Sequence, residues 1–240
     1  MRDLVVVADT HLSRCDPETE AFVEFLLRRG SEAAAVAHLG DLFNIWLGLP
    51  RFEMDHMGPV LAAFRALRGR GVRTILAEGN RDFHVRQGYE GDAFDEVAET
   101  EVELTVGARR VRLAHGDLVN VADRPYRLWR RLSRSAPVWA GVGLLPSRAG
   151  IRFAERLESK LRGTNVRHKS GFPEAAARDY AARAFGDGCS LLLVGHFHEQ
   201  RVVRAGAGRE MVVLPDWRSS HRYLHVAADG AWSLDEWQTA

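Results

Sequence analysis

Seven residues of this sequence carry side chains suited to hard or borderline metal ions, and each stands within four residues after a short apolar run. They are Asp9 and His11 behind Leu4–Ala8, Asp41 behind Ala35–Leu39, Asn80 behind Thr74–Ala77, His115 behind Val111–Ala114, and His196 and His198 behind Leu191–Val194. Singly each is ordinary, since a lone His is usually structural and Gly-Asp or Gly-Asn after a strand is common turn chemistry. Together they are oxygen and imidazole donors without a thiolate, a metal inventory rather than a nucleophile–base triad. The physical sense of the set is a dinuclear centre. Two divalent ions roughly 3.5–4 Å apart need a bridging anion and can clamp the attacking and leaving oxygens of a phosphoryl displacement, and Asp41 is the natural bridge. Mixed carboxylate, amide and imidazole ligation suits Mn, Fe or Zn better than Ca or a structural zinc. Gly40, Gly79, Gly116 and Gly195 adjoin these residues and let backbone approach the metals closely.

The apolar runs are continuous rather than alternating, as in strands buried on both faces. Helical patterns at Thr19–Arg29 and Met57–Arg70 separate the first three, so the opening reads βαβαβ with parallel strands. Glu101–Val106 and Arg109–Ala114 flank a two-residue turn and predict a hairpin. Arg201–Arg204 with Met211–Leu214 predict another, followed by strands at Tyr223–Ala227 and Trp232–Trp237. The expected fold is an α/β two-sheet sandwich, and the C-terminal strand ends of such sheets line one crevice.

A different pattern occupies residues 122–170, which read as a helical insertion within a single 1–240 domain. Between Arg124 and Lys169 lie twelve basic residues and two acidic ones, a net +10, leaving −9 on the rest of a chain whose total is +1. Tyr126, Leu128, Trp129 and Leu132 oppose Arg124, Arg127, Arg131 and Arg134 at helical spacing. An apolar stretch Ala136–Leu145 and a second amphipathic stretch Ile151–Leu161 follow. The segment matches an anionic partner, whether phosphate, nucleic acid or a lipid surface, or else a solvated helix face. Its apolar stretch suits an interfacial patch or greasy groove, or a helical hairpin packing its own core.

The 240 residues are 46% hydrophobic and 27% charged, which excludes a disordered or collagen-like chain. Cys15 and Cys189 form no metal or disulfide spacing. The apolar run before Asp9 is too short for a secretory signal, and no later run approaches a membrane span, so the expected location is cytoplasmic.

The motifs Asp9-Thr10-His11, Gly40-Asp41, Gly79-Asn80, His115-Gly116 and Gly195-His196-Phe197-His198, in this order, resemble those of the calcineurin-like metallophosphoesterases. The resemblance spans most of the chain. It implies the metallophosphoesterase-type two-sheet β-sandwich flanked by helices. It also implies that Asp9, His11 and His198 hold one metal, that Asn80, His115 and His196 hold the other, and that Asp41 bridges. A narrower resemblance comes from Asp41-Leu42-Phe43-Asn44-Ile45-Trp46, Gly79-Asn80-Arg81-Asp82-Phe83, Asp123-Arg124-Pro125-Tyr126 with Trp129-Arg130, and Leu214-Pro215-Asp216-Trp217. These are similar to the UDP-2,3-diacylglucosamine diphosphatase family of the lipid A pathway. That likeness implies a manganese-dependent hydrolase that cleaves UDP-2,3-diacylglucosamine to UMP and 2,3-diacylglucosamine 1-phosphate. A helical insertion cap would hold the acyl chains and attach to the cytoplasmic face of the inner membrane. Asp41, Asn80 and Arg81 would be catalytic, and Asn80, Arg81, Asp123, Tyr126 and Lys169 would contact substrate. Two places depart from the family pattern: His198 is followed by Glu199-Gln200-Arg201 where an Arg-Pro is usual, and Ala122 replaces the first acid of an Asp-Asp pair.

Arg81 sharpens the reading, because many metallophosphoesterases have His there to protonate an alkoxide. Arginine donates no proton at neutral pH, but pyrophosphate cleavage expels a phosphate that needs little protonation. A fixed guanidinium stabilising charge suffices, unless Arg81 merely pairs with Asp82. Asp82 and Asp117 would orient the groups around them. His84 and His168 could approach substrate, and the other histidines read as structural or surface residues. Two rivals remain at this point. One is a metallophosphoesterase for another nucleotide, nucleic-acid or phosphoester substrate, although no nucleic acid is expected as partner. The other is a non-catalytic interaction module, which would be expected to have lost ligands, whereas all seven stand here.

Overall fold

Successive side chains of the first apolar run enter two different cores: Leu4 and Val6 face one, Val5 and Val7 the other. The run is apolar throughout because both faces of its strand are covered. The computed structural model describes residues 1–162, 171–206 and 208–239. In chain order the strands are β1 (Leu4–Val7), β2 (Ala35–His38), β3 (Trp46–Leu47), β4 (Arg73–Ala77), β5 (Asp82–Phe83), β6 (Glu96–Ala98), β7 (Glu101–Val106), β8 (Arg109–Ala114), β9 (Leu191–Val194), β10 (Arg201–Ala205), β11 (Arg209–Val213), β12 (Arg222–Val226) and β13 (Trp232–Glu236). The helices are α1 (Glu18–Phe25), α2 (Gly58–Gly69), α3 (Val85–Tyr89), α4 (Arg124–Ser133), α5 (Ala136–Gly143), α6 (Ser147–Arg162), α7 (Glu174–Gly186) and α8 (Trp217–Ser220).

Two sheets pack face to face. One has the order β13-β12-β1-β2-β4-β6, with β1, β2, β4 and β6 parallel, as the βαβαβ reading requires. The other has the order β10-β11-β9-β8-β7, with β9 parallel to both its neighbours. Between them lies a core of Leu4, Val6, Ile75, Val111, Leu113, Leu193, Val212 and Leu224 among others. The outer face of the first sheet is covered by Phe22, Phe25, Phe64 and Leu67 of α1 and α2, and that of the second by Ala177, Ala181, Ala184 and Phe185 of α7. The fold is thus a four-layer α/β two-sheet sandwich.

The sequence reading left out α7, although the i, i+4, i+7, i+8 spacing of its buried residues carries a helical signal. It also left out the two-residue ribbon β3–β5, which pairs the chain after β2 with the chain after β4 in parallel. Helix α1 ends at Phe25 and continues as a π-turn over Leu26–Gly30. Helix α6 starts four residues before Ile151, because the Pro146 carbonyl accepts the Ala149 and Gly150 amides at 2.9 Å.

Helices α4, α5 and α6 do not form a self-contained hairpin. Trp139, Val142 and Ala154 are buried against Ile45, Leu47, Phe52 and Phe83 of the sandwich, with Leu157 and Leu161 packed alongside. A Cβ on Gly150 would lie 2.1 Å from the Phe52 ring, so only glycine permits this approach. Leu128, Leu132, Val138 and Phe153 of the same helices, and Leu144 just after α5, remain exposed. No described helix is long and apolar enough to cross a membrane.

Candidate metal centre

The turns after β1, β2, β4, β8 and β9 meet at one edge of the sandwich and are laced together by backbone bonds. His11 N donates to Asp41 O at 2.9 Å, and Leu12 N donates to Leu42 O at 3.0 Å. Gly195 N donates to His115 O at 2.8 Å, and His196 N donates to Asp9 Oδ2 at 2.7 Å, joining the two sheets. Asp82 Oδ2 accepts the amides of Asp41 (2.7 Å) and Gly79 (2.8 Å), so this acid holds the turns carrying Asp41 and Asn80 in register.

All seven candidate ligands lie in this cluster. His11 Nε2 is 3.9 Å from Asp9 Oδ1 and 3.7 Å from Asp41 Oδ2, and His198 Nε2 is 3.7 Å from Asp9 Oδ1. On the other side His115 Nε2 is 3.8 Å from Asp41 Oδ1, 3.0 Å from Asn80 Oδ1 and 3.1 Å from His196 Nδ1. Asp41 therefore turns one oxygen towards each half. Asp9, His11 and His198 form one group that could grip an ion, and Asp9, Asp41 and His115 form a second, so Asp9 adjoins both halves.

The donor chemistry fits divalent cations. Imidazole nitrogens approach one another at 3.3 Å (His11 and His198) and 3.1 Å (His115 and His196), so ring nitrogens of all four histidines converge where a cation would be held. His115 Nδ1 lies 2.7 Å from the Leu39 carbonyl, which makes it the protonated nitrogen and aims the Nε2 lone pair into the cluster. Asp9 Oδ1 is buried with no hydrogen-bond partner among the described residues. Burial, then Asp41, pushes the Asp9 carboxyl well above the usual carboxylate range. Burial likewise raises Asp41 to about 7 against the lowering effect of Arg81, and raises Asp82 to about 7 with the help of Asp41. Burial, then His198, pushes His11 well below the usual imidazole range. The protein by itself favours uncharged acids and neutral imidazoles here, and a dication supplies the missing compensation.

The backbone carries a feature that residue types alone did not reveal. Asp9, His11, Asp41, His196 and His198 all have left-handed φ, between 46° and 70°. Non-glycine residues rarely adopt this region, and five such residues in one cluster mark a site whose geometry the fold imposes. The flanking glycines serve closeness between turns. A Cβ on Gly79 would lie 2.3 Å from Asp41 Oδ1, and one on Gly195 would lie 2.6 Å from Asp9 Oδ2.

Arg81 is buried beside the cluster: its amide donates to Asp41 Oδ1 at 2.8 Å and its Nη2 to the Leu161 carbonyl of α6 at 3.2 Å. Asp123 caps α4, its Oδ1 accepting the Tyr126 amide at 3.0 Å. The Tyr126 hydroxyl donates to Asp117 Oδ2, which also accepts Arg130 Nε at 2.8 Å. Burial works against the Asp117 carboxylate, but Arg130, then His115 and His196, hold it down at about 2. His84 is tied to the helices, with Nε2 3.1 Å from the Arg134 carbonyl and its ring stacked on Trp139. Lys169 and His168 lie outside the described residues. Two groups escaped the sequence reading. Asp216, in the Leu214–Trp217 motif, has Oδ1 3.9 Å from His198 Nδ1. Arg134 Nη2 donates to the carbonyls of Gly79 and Asp82 at 2.6 Å each, bracing the Asn80–Arg81 turn from α4.

Two packed sheets carrying this Asp, Asn and His set on the turns at one edge define a metallophosphoesterase of the calcineurin-like type. Within that class, the chain belongs to the UDP-2,3-diacylglucosamine hydrolase family. It is 30% identical to the UDP-2,3-diacylglucosamine hydrolase of Stenotrophomonas maltophilia strain K279a, over 95% of this chain and 96% of that protein. It is 31% identical to the enzyme of the same name from Ralstonia nicotianae, over 90% and 84% of the two chains. A predicted phosphoesterase from Streptococcus pneumoniae is similar in structure, with a TM-score of 0.48 at 16% identity over 98% of this chain and 87% of that one. No protein-family model matches the chain.

Proposed function

We propose that the chain hydrolyses the pyrophosphate bond of UDP-2,3-diacylglucosamine, releasing UMP and 2,3-diacylglucosamine 1-phosphate for lipid A synthesis. The observation that carries this reading is Arg81, which joins a cluster of phosphoryl-transfer ligands to a helical segment rich in apolar residues through the Leu161 carbonyl. A diphosphate and two acyl chains have to be met together, and this juxtaposition supports such a meeting.

Asp9, His11 and His198 would hold one divalent ion and Asn80, His115 and His196 the other, with Asp41 between them. Bound there, two divalent ions, manganese in this reading, would supply Lewis-acid activation of water and neutralise phosphoryl oxygens. The remaining work falls to the chain. The Arg81 guanidinium faces the charge that develops as the α-phosphorus is displaced in line, and it needs no proton to give because the departing sugar phosphate is already a stable anion. Asp82 keeps the Asp41 and Gly79 turns aligned, and Asp117 holds Tyr126 and Arg130 of α4 in place. The helices of residues 122–170 would act as a cap that holds the acyl chains, excludes water and rests on the cytoplasmic face of the inner membrane.

The test is manganese-dependent release of UMP from UDP-2,3-diacylglucosamine and from UDP-glucosamine lacking acyl chains. The acylated substrate is expected to react at least about 100-fold faster in kcat/KM, since two buried chains contribute several kcal/mol. Equal rates would overturn the lipid assignment.

Manganese binding should also depend on pH. Asp41 and Asp82, raised by burial to about 7, bind protons at pH values where ordinary carboxylates are ionised. An incoming dication has to displace any proton on a ligand, so affinity rises with pH through this range, by up to about tenfold per unit for each proton released. The manganese-induced rise in Tm is expected to be larger at pH 7.5 than at pH 5.5, read by calorimetry after chelator treatment. A shift that shrinks with pH would contradict this.

A further inference from the structure

Helix α4 turns two arginines towards the protein and leaves two leucines outside with Arg124, Arg127 and Arg131. Leu128 and Leu132 are 58% and 56% exposed, while Arg130 on the opposite face is buried and the Arg134 side chain is only 7% exposed. Along this side of the helix lies an open pocket of about 510 Å³ lined by Arg127, Leu128, Arg130, Arg131 and Arg134 together with Glu99 and Leu118. None of the seven candidate ligands lines it.

The charges in this cavity are unevenly matched. Arg130 is neutralised by Asp117 at 2.8 Å. Arg134 spends Nη2 on two carbonyls and has Glu78 Oε2 no nearer than 3.9 Å, and its buried Nη1 has no hydrogen-bond partner among the described residues. Arg127 gives one nitrogen to the Val121 carbonyl. Glu99 is the one acid on the wall; Arg130 Nη2 bonds its backbone carbonyl at 2.6 Å, so its carboxylate offsets one arginine of the lining. The cavity thus presents surplus guanidinium donors in a geometry that suits phosphate oxygens. Arg127 and Arg131 stand one turn apart on the helix, directly beside Leu128 and Leu132. The boundary between phosphate-binding and apolar surface therefore runs along α4 itself.

We propose that this cavity is a binding site for the phosphate of an anionic phospholipid headgroup. The guanidinium groups of Arg127 and Arg131 grip the phosphate from the mouth with Arg134 behind them, while the acyl chains lie along Leu128 and Leu132. The site is separate from the metal cluster, and it deepens the membrane-surface part of the proposed function, on which it rests. The chemistry of the lining selects the occupant: with Arg130 matched by Asp117 and Arg134 by Glu78, Arg127 and Arg131 against the single carboxylate of Glu99 call for an anion, and the exposed leucines beside them call for one carrying hydrocarbon.

The test is co-sedimentation of the full chain with vesicles of phosphatidylcholine alone and of phosphatidylcholine with phosphatidylglycerol. Three proteins are compared: wild type, Arg127→Gln/Arg131→Gln, and Arg148→Gln/Arg152→Gln. The last removes two exposed charges from α6 without touching the cavity. Wild type is expected to bind the phosphatidylglycerol vesicles, and the cavity pair to lose at least about tenfold more affinity than the α6 pair. Equal losses in the two pairs would overturn the proposal in favour of diffuse attraction, and so would wild-type binding that ignores phosphatidylglycerol. Calorimetric binding of glycerol 1-phosphate that depends on Arg127 and Arg131, with no vesicle binding, would reassign the cavity to a soluble phosphate. UMP release from micellar substrate is measured in parallel. Loss of hydrolysis on that substrate by wild type would count against the proposed reaction, while the vesicle result bears on the cavity alone.

Discussion

Asp41→Ala is expected to abolish metal-dependent hydrolysis, a loss of about a thousandfold or more in kcat. Asp41 is the residue that turns one carboxylate oxygen towards His11 and the other towards His115, at 3.7 and 3.8 Å. It also receives the Arg81 amide, so its removal loosens the turn that carries Asn80 and Arg81. In the metal-free fold two effects oppose each other: deletion removes an acid whose charged form burial disfavours, but leaves the Arg81 amide without its acceptor, so the Tm in chelator should change little. The manganese-induced Tm shift should then largely vanish. Asp41→Asn keeps an acceptor for the Arg81 amide but not the anion, and separates the two roles. Metal content by elemental analysis, Tm with and without manganese, and initial rates make the measurement. Retention of most activity by Asp41→Ala would remove Asp41 from the centre of the site.

Arg81→Ala is expected to lower kcat by about 10²–10³-fold while metal content stays near that of the wild type. The guanidinium is buried at the cluster and anchored to the Leu161 carbonyl, so it is fixed before substrate arrives. A positioned donor of this kind acts mainly on charge that develops during the reaction, which places the loss in kcat rather than in KM. Arg81→Lys should recover only part, because an ammonium is a compact point charge and cannot hold the α6 carbonyl and a phosphoryl oxygen in one planar fork. Arg81→His should remain impaired on a pyrophosphate, whose leaving group gains little from protonation. Steady-state kinetics at saturating manganese decide the matter. A wild-type kcat in Arg81→Ala would reduce that side chain to a structural link between the sandwich and α6.

The candidate ligands were legible in the sequence for a specific reason. Each follows a strand buried on both faces, and such strands are continuous apolar runs that need no long-range information to recognise. Asp9 behind Leu4–Ala8 and His115 behind Val111–Ala114 are two cases, and the parallel opening followed from the helical patterns between the first runs. The left-handed backbone of Asp9, His11, Asp41, His196 and His198 was not legible. It is imposed by turns that bond to one another across two sheets, as when His196 N meets Asp9 Oδ2. The ribbon of Trp46–Leu47 with Asp82–Phe83 escaped because two residues make no period.

Helix α4 shows the division most sharply. Its residues alone determined that an arginine face and an apolar face lie opposite each other, since that follows from 3.6 residues per turn. Which face would meet the protein was decided only by the tertiary structure. Asp117 and the carbonyls of Gly79, Asp82 and Glu99 stand where they can satisfy Arg130 and Arg134, so these two arginines turn inward, while Arg124, Arg127 and Arg131 stay exposed with Leu128 and Leu132. Periodicity is a local property of the chain, whereas the partners that make a buried guanidinium tolerable come from distant strand ends, and only folding brings them there.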